Sequence, residues 1–393
     1  MNKIMTTLLL VAIVAGICTV GSASVAKRVI EAKPLVQMAI LLDTSSSMSG
    51  LIDQARTELW AIVNEFIVAK RNGKAPELRV ALYEYGKSSL PGQEGYVRMI
   101  VPFTTDLDKV SEELFALRTN GGNEYCGWVI KEATEALQWS NSPDDLKVIF
   151  IAGNEPFTQG PVDYRQVCKR AVAKGIVVNT IHCGTEEAGV DGKWKDGAML
   201  ADGQYLNIDQ SRTAVHVAAP QDKKIAELGA MLNDTYIAYG CTGYLALKRQ
   251  SVQDRNAAAA SPEAIRQRVV TKSSMYYRNE AWDLVDAVGT DKVKLEDIKE
   301  QDLPEKLRKM NGEERRIYIE AKAKQRVEIQ KRIQELNEQR KKYVAEQMSK
   351  QQPQADTLGV AVIKAVHDQA RKKNFTFESS EKPSKDPGRG TRQ

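Results

Sequence analysis

Histidine is nearly absent from this chain, and the other residues that mark specialised chemistry are scarce as well. Three histidines among 393 residues leave little room for a histidine-rich metal site. Five cysteines are too few for a disulfide-stapled scaffold. Lysine and arginine (56) exceed aspartate and glutamate (51) only slightly, too little to indicate a nucleic-acid partner, and we expect none. The composition as a whole, with 42% hydrophobic and 27% charged residues, is that of a globular protein.

Long apolar runs are also missing, except at the N-terminus. Lys3 precedes the run Met5–Val20, and small residues follow at 21–24. This pattern is typical of a secretory signal with its cleavage position. A membrane anchor is the less favoured alternative, because the run is shorter than the about 20 residues that a spanning helix needs. We predict a signal peptide at residues 1–24, a periplasmic or secreted protein, and no membrane span after cleavage.

Export changes what the cysteines imply. Cys18 lies in the predicted signal, and four cysteines follow it, namely Cys126, Cys168, Cys183 and Cys241. An even number of cysteines in an oxidising compartment predicts one or two disulfides. The alternative is four buried thiols, which behave as small apolar side chains.

Short apolar runs alternate with helical patterns over residues 35–243. Leu35–Leu42, Leu146–Ala152 and Ile176–Cys183 read as strands buried on both faces. The spacing of apolar residues in Leu51–Lys70 predicts a helix. Such alternation predicts an α/β fold with a doubly wound, mostly parallel, Rossmann-like sheet. A short connection makes Leu78–Tyr85 and Tyr96–Phe103 an antiparallel hairpin at one edge.

The chain becomes more polar after residue 243. Residues 244–261 read as a linker, 262–350 as a charged helical region, and 351–393 as a short helix within Asp356–Lys373 followed by a disordered tail. In the helical region an apolar four-three rhythm, interrupted by Arg340, suggests a coiled coil through which the chain associates with itself; its members are Ile329, Ile333, Leu336 and Tyr343. A solvated helix packed on the first domain is the alternative.

The segment with the best candidate ligand residues follows the first strand. Asp43, Ser45 and Ser47 alternate directly after it. In an open parallel sheet, ligands bind beyond the carboxyl ends of the strands. A tight turn can aim these three oxygens at one point, and a hard divalent cation prefers such ligands. The alternative is that the same residues only cap the following helix.

This Asp-x-Ser-x-Ser pattern resembles the metal-ion-dependent adhesion site of von Willebrand factor type A domains, over roughly residues 35–240. In that family a second loop supplies a threonine, and Asn123 stands at its position here. A third loop supplies an aspartate, and Gly153 stands at its position. Glu155 or Glu124 could supply the missing carboxylate from a neighbouring position. The metal site implied by the resemblance is therefore Asp43, Ser45, Ser47, Asn123 and Glu155.

The resemblance also implies a function. The cation would be Mg²⁺, with Mn²⁺ or Ca²⁺ as alternatives, and a carboxylate of a protein partner would complete its coordination. The residues Asn279–Asp286, together with Leu303-Pro304 and Met310, resemble the helical extension of an uncharacterised group of secreted bacterial type A domain proteins. We therefore expect an exported binding protein that is not an enzyme. The alternative is a Cys/His-dependent envelope enzyme that uses Cys126 or Cys183 beside His182.

Overall fold

The computed structural model describes residues 33–208, 217–349 and 358–377. The predicted signal peptide and the tail after residue 377 lie outside these residues. The strands are β1 Leu35–Asp43, β2 Ala69–Lys70, β3 Glu77–Tyr85, β4 Val97–Thr104, β5 Leu146–Gly153, β6 Val177–Cys183, β7 Tyr205–Ile208 and β8 Thr376–Phe377. The helices are α1 Ser49–Glu65, α2 Leu107–Ala116, α3 Cys126–Ala136, α4 Tyr164–Ala173, α5 Glu186–Asp191, α6 Trp194–Leu200, α7 Asp222–Asn233, α8 Gly240–Ala260, α9 Pro262–Lys272, α10 Leu284–Gly289, α11 Glu305–Arg308, α12 Gly312–Met348 and α13 Leu358–Lys372.

Within the described residues, one sheet of six strands forms the centre of the molecule in the order β4-β3-β1-β5-β6-β7. β3 and β4 pair antiparallel, and every other pair in this sheet is parallel. The α/β class, the mostly parallel sheet and the antiparallel edge hairpin are thus confirmed. The chain winds outward from β1 on one side and from β5 on the other, so the carboxyl ends of β1 and β5 meet at the topological switch point.

Strand β1 is buried on both faces, as its continuous apolar run predicted. Val36 and Met38 belong to one core cluster, and Ala39 and Leu41 belong to the cluster on the opposite face. Successive side chains of a strand point to opposite faces, so both faces of β1 need side chains that tolerate burial. The polar exception is Gln37, which is buried with its amide bonded to the backbone of Gln138 and Ser140. Asp43, which ends this strand, is the point where the apolar run gives way to polar chemistry.

The C-terminal helix returns to the central sheet. α13 packs on α1 and β7, and Val362, Val366 and Phe375 lie in the same core cluster as the inner residues of β1. β8 pairs antiparallel with β2. The helix predicted within 356–373 is confirmed, but it completes the core of the sheet domain. Residues 358–377 therefore join that domain from beyond the helical region.

The segment predicted to be a linker, 244–261, is instead almost entirely helical and belongs to α8. Alanine, glutamine, lysine and arginine all favour helix. Two glutamines of this helix, Gln250 and Gln253, are buried. The Ser111 hydroxyl of α2 donates to Gln253 Oε1 at 3.0 Å, so α8 is docked on the sheet domain.

The coiled-coil prediction is also wrong for the seam that suggested it. Ile329, Ile333 and Leu336 of α12 pack in one cluster with the apolar residues of α7. Arg340, which interrupts the rhythm, is buried, and its Nε donates to Asp222 Oδ1 at 2.6 Å. The alternative of a helix packed on its own chain describes the structure. Ile329, Ile333 and Leu336 are therefore covered within the chain, and Tyr343, the fourth member of the predicted seam, is partly buried.

Buried ion pairs connect the helical region to the sheet domain. Arg268 of α9 is fully buried and pairs with Asp108 of α2 at 2.7 Å and with Asp254 of α8 at 2.6 Å. Its guanidinium also lies 4.9 Å from the ring centre of Trp60 in α1. Such charges are stable in the interior because each has an opposite partner. Across the described part of the chain, no helix combines the length and apolarity required to cross a membrane.

Candidate functional site

The loop after β1 holds three oxygen-bearing side chains together. Asp43 is the last residue of β1 and is completely buried. Its Oδ1 accepts a hydrogen bond from the backbone N–H of Ser45 at 2.7 Å. The hydroxyls of Ser45 and Ser47 lie 3.1 Å apart. The structure thus brings the three residues of the Asp-x-Ser-x-Ser pattern into one cluster.

The Asp43 carboxylate is only half satisfied. Its Oδ2 is buried without a hydrogen-bond partner among the described residues. Burial raises the pKa of Asp43 to about 7; hydrogen bonds from Ser45 oppose this rise, and the charges of Glu124 and Glu155 add to it. A buried carboxylate is costly unless a donor or a cation compensates it. A divalent cation beside Asp43 would supply that compensation.

The second loop, residues 117–125, is fixed on the first by backbone contacts. The N–H of Asn120 donates to the carbonyl of Thr44 at 3.0 Å. A Cβ at Gly122 would lie 2.3 Å from the carbonyl oxygen of Gly86. Only glycine permits this close approach of two backbones. The second loop is therefore held by Thr44 of the first loop and by the backbone at Gly86.

The second loop places a carboxylate beside Asp43. Asn123, the predicted ligand, is exposed, and its amide donates to Tyr96 Oη at 3.3 Å. Glu124 is buried instead. Burial raises the pKa of Glu124 to about 6, and the charge of Glu155 adds to the rise. Of the two neighbours, Glu124 faces the first loop and Asn123 faces Tyr96.

The third loop contributes an amide that the sequence analysis missed. The Nδ2 of Asn154 donates to Ser47 Oγ at 3.1 Å. Glu155, the predicted ligand, contributes to the raised pKa values of Asp43 and Glu124, and its backbone carbonyl accepts a hydrogen bond from Trp194 Nε1 at 2.8 Å. The sequence showed that residue 154 is a polar asparagine, but it did not show that this side chain reaches Ser47.

A tyrosine closes the inner side of the site. Tyr85 is fully buried and pairs in register with Asp43 across β1 and β3. Its hydroxyl donates to the carbonyl of Ala152 at 3.0 Å. A Cβ at Gly153 would lie 2.6 Å from Tyr85 Oη and 3.2 Å from Asp43 Oδ2. Tyr85 thus occupies the space that a side chain at residue 153 would need.

The cysteines expected to form disulfides are thiols: Cys126, Cys168 and Cys183 are buried, and Cys241 is exposed. The three buried thiols fill the core as small apolar groups. Burial raises the pKa values of Cys126 and Cys183 well above that of an ordinary thiol. His182 and Cys183 are consecutive in β6, so their side chains point to opposite faces. The thiols of Cys126 and Cys183 are therefore not activated as thiolates.

The cluster at the switch point suits a hard divalent cation. Nowhere in the described ranges are three or more His, Cys, Asp and Glu side chains grouped around a common metal position. The candidate site is of a different kind, because one loop holds the Asp43 carboxylate, whose Oδ2 has no partner among the described residues, and the hydroxyls of Ser45 and Ser47. Mg²⁺ and Mn²⁺ prefer oxygen ligands of these types and retain water at other positions. The donor set therefore fits such an ion.

A family model described as the von Willebrand factor type A domain matches residues 37–195. Among solved structures, the chain is similar to the SpRpn10 VWA domain at 20% identity, covering 46% of this chain and 90% of that chain, with a TM-score of 0.35. It is also similar to the conserved hypothetical protein BatB from Bacteroides thetaiotaomicron at 17% identity, 45% and 91% coverage, and a TM-score of 0.35. The pilus adhesin SpaC from Lactobacillus rhamnosus GG is similar at 14% identity, 46% and 28% coverage, and a TM-score of 0.33. A search of curated proteins finds no match.

Proposed function

Because residues 37–195 form a von Willebrand factor type A domain, we propose that this chain is an exported binding protein that holds a partner protein through a divalent cation. The single observation that carries the proposal is the cluster at the end of β1. There a buried carboxylate oxygen of Asp43 has no hydrogen-bond partner within the described part of the chain and lies in the same loop as two hydroxyls 3.1 Å apart. Type A domains are interaction modules, and this cluster is at the sheet edge where ligands bind.

The proposed cation is Mg²⁺, with Mn²⁺ and Ca²⁺ as alternatives. Asp43 would provide the buried negative charge, and Ser45 and Ser47 would provide neutral oxygens. Asn154 is hydrogen-bonded to Ser47 and would orient that hydroxyl from the third loop. The bound cation would supply a positive charge at the surface that attracts an anionic group. An acidic side chain of a partner protein has the matching charge and an oxygen ligand to offer.

Export remains part of the proposal and is supported by the N-terminal sequence alone. Met5–Val20 forms the apolar core of a signal between Lys3 and the small residues at 21–24. Mass spectrometry of the protein from its native source should find a mature N-terminus near Ser24 or Val25. Intact Met1 on protein recovered inside the cell would overturn the proposed compartment.

Calorimetry with Mg²⁺ and Mn²⁺ tests the cation site. Wild type should bind one ion, and Asp43→Ala should remove the binding heat, because it deletes the charge at the centre of the cluster. Asp297→Ala is the matched control, since Asp297 is an exposed aspartate of the helical region, and it should bind like wild type. Thermal melts of both variants check that they fold. Wild type without binding heat for either ion at millimolar concentration would refute the cation site.

Partner capture tests the second half of the proposal. Purified wild type should retain a protein from an envelope extract in Mg²⁺ and release it into chelator. Asp43→Ala should retain much less of the same protein, and Asp297→Ala should retain as much as wild type. Capture that survives both chelator and Asp43→Ala would show that the domain binds through another surface.

A further inference from the structure

The third loop cannot carry the carboxylate that the adhesion-site pattern places there. Gly153 stands at that position, and a Cβ on it would lie only 2.6 Å from Tyr85 Oη. Tyr85 cannot easily move, because it is fully buried and its hydroxyl is bound to the carbonyl of Ala152. The glycine is therefore a packing requirement of Tyr85. The site needs a different source for a second negative charge.

Glu124 lies where such a charge is needed. Residue 86 is a glycine with a φ of +80°, and a Cβ on it would lie 2.7 Å from Asp43 Oδ1 and 2.8 Å from Glu124 Cγ. The Asp43 carboxylate and the Glu124 side chain therefore flank the same small space above Gly86. Both residues are buried. Two neighbouring acidic side chains in the interior repel each other unless a cation lies with them.

The surrounding backbone holds Glu124 in this position. The N–H of Glu124 is hydrogen-bonded to Gln159 Oε1. Gly122, two residues earlier, packs directly on the carbonyl of Gly86, and Asn120 is bonded to Thr44 of the first loop. These three backbone contacts fix the segment that carries Glu124 beside Asp43.

We propose that Glu124, from the second loop, supplies the second carboxylate of the cation site and replaces the aspartate that Tyr85 excludes from residue 153. This inference rests on the proposed cation site and specifies its charge: two buried carboxylates, Asp43 and Glu124, face one divalent ion. Glu155, the other glutamate that the sequence suggested and the one included in the predicted site, is only partly buried and lies beyond Asn154. Its charge acts on the site from the rim.

Mn²⁺ binding measured by electron paramagnetic resonance separates the two glutamates. Glu124→Gln keeps the shape of the side chain and removes its charge. It should weaken Mn²⁺ binding by about 10- to 100-fold, the range typical when a group supporting a metal site is lost. Glu155→Gln is the comparison variant and should weaken binding less than Glu124→Gln, because Glu155 is only partly buried and solvent screens part of its charge. Thermal melts without cation check that each variant folds.

The outcomes distinguish this inference from the function on which it rests. Wild type that binds Mn²⁺, with Glu124→Gln binding equally well, would overturn the role of Glu124 and leave the cation site standing. A larger loss for Glu155→Gln than for Glu124→Gln would also overturn it. Wild type without Mn²⁺ binding would refute the cation site itself. If Glu124→Gln does not fold, the position of Mn²⁺ in crystals of the wild-type protein decides. A Glu124 carboxylate that contacts the ion directly or through one water supports its role, and one that does neither overturns it.

Discussion

Phe375 tests whether the C-terminal segment belongs to the core of the sheet domain. The residue follows α13, is 2% exposed and lies in the cluster that contains the inner residues of β1. The guanidinium of Arg71 lies 5.1 Å from its ring centre. Replacing a buried phenylalanine by alanine loses its transfer free energy and leaves a cavity, which together cost about 3–5 kcal/mol. We therefore expect Phe375→Ala to lower the free energy of unfolding by about this amount.

Urea unfolding followed by circular dichroism measures this loss. The midpoint should fall while the slope with denaturant stays the same, because the change is one of stability and not of the surface exposed on unfolding. Val327→Ala is the control, since Val327 is an apolar residue 64% exposed on α12, and it should change stability by less than about 0.5 kcal/mol. A loss below about 1 kcal/mol for Phe375→Ala, far under the cost of a buried phenylalanine, would show that the segment does not complete the core.

Two further predictions concern loop packing and buried charge. Gly122→Ala should weaken Mn²⁺ binding and lower the melting temperature, because its Cβ would lie 2.3 Å from the carbonyl oxygen of Gly86; wild-type values for both would show that the second loop has room to shift. Burial tends to raise the pKa of Asp254, but the charges of Lys272 and Arg268 outweigh it and hold the pKa at about 2, below the ordinary 3.8. Because the folded-state pKa is the lower one, this pairing contributes about 2 kcal/mol above roughly pH 4, and the contribution is lost as the pH falls from about 4 towards 2. Asp254→Asn should therefore lower the free energy of unfolding by about 3–5 kcal/mol at pH 7, because two buried cations lose a partner. In urea unfolding, the difference in free energy between the variant and wild type should become smaller below about pH 4. A difference that does not change with pH would contradict the assigned charge pairing.

Local patterns in the sequence were enough to predict the sheet and the first loop. The run before Asp43, which is apolar apart from Gln37, identified a strand buried on both faces, and the alternation of Asp43, Ser45 and Ser47 identified the oxygen cluster. Both features depend on neighbouring residues, whose geometry is set by the period of a strand and the tightness of a turn.

The rest of the site depends on pairings between distant segments. Tyr85 reaches the site because β3 pairs with β1 in one particular register, and a one-residue slip would turn it to the other face. Glu124 and Asn123 are adjacent and both polar, and only the docking of the second loop on Gly86 decides which of them faces Asp43. Neither the register of β3 on β1 nor the orientation of Glu124 can be predicted from the local sequence.

The helical part was misjudged for a related reason. An apolar seam such as Ile329, Ile333 and Leu336 shows that a helix must pack, but it does not show on what, and here α7 of the same chain covers it. The return of α13 to the sheet likewise spans more than a hundred residues, since it begins at Leu358 while β7 ends at Ile208. Tertiary packing of this range cannot be read from periodicity alone.

A crystal structure with Mn²⁺ would test the central claim most directly, because the ion can be located by its anomalous scattering. We predict one strong anomalous peak at the carboxyl end of β1, with the hydroxyl oxygens of Ser45 and Ser47 at about 2.1 Å, a distance typical of ions of this size. Asp43 and Glu124 should flank the peak, directly or through bound water. Crystals soaked to saturation that show no peak at this loop, or show the ion bound elsewhere on the chain, would contradict the account.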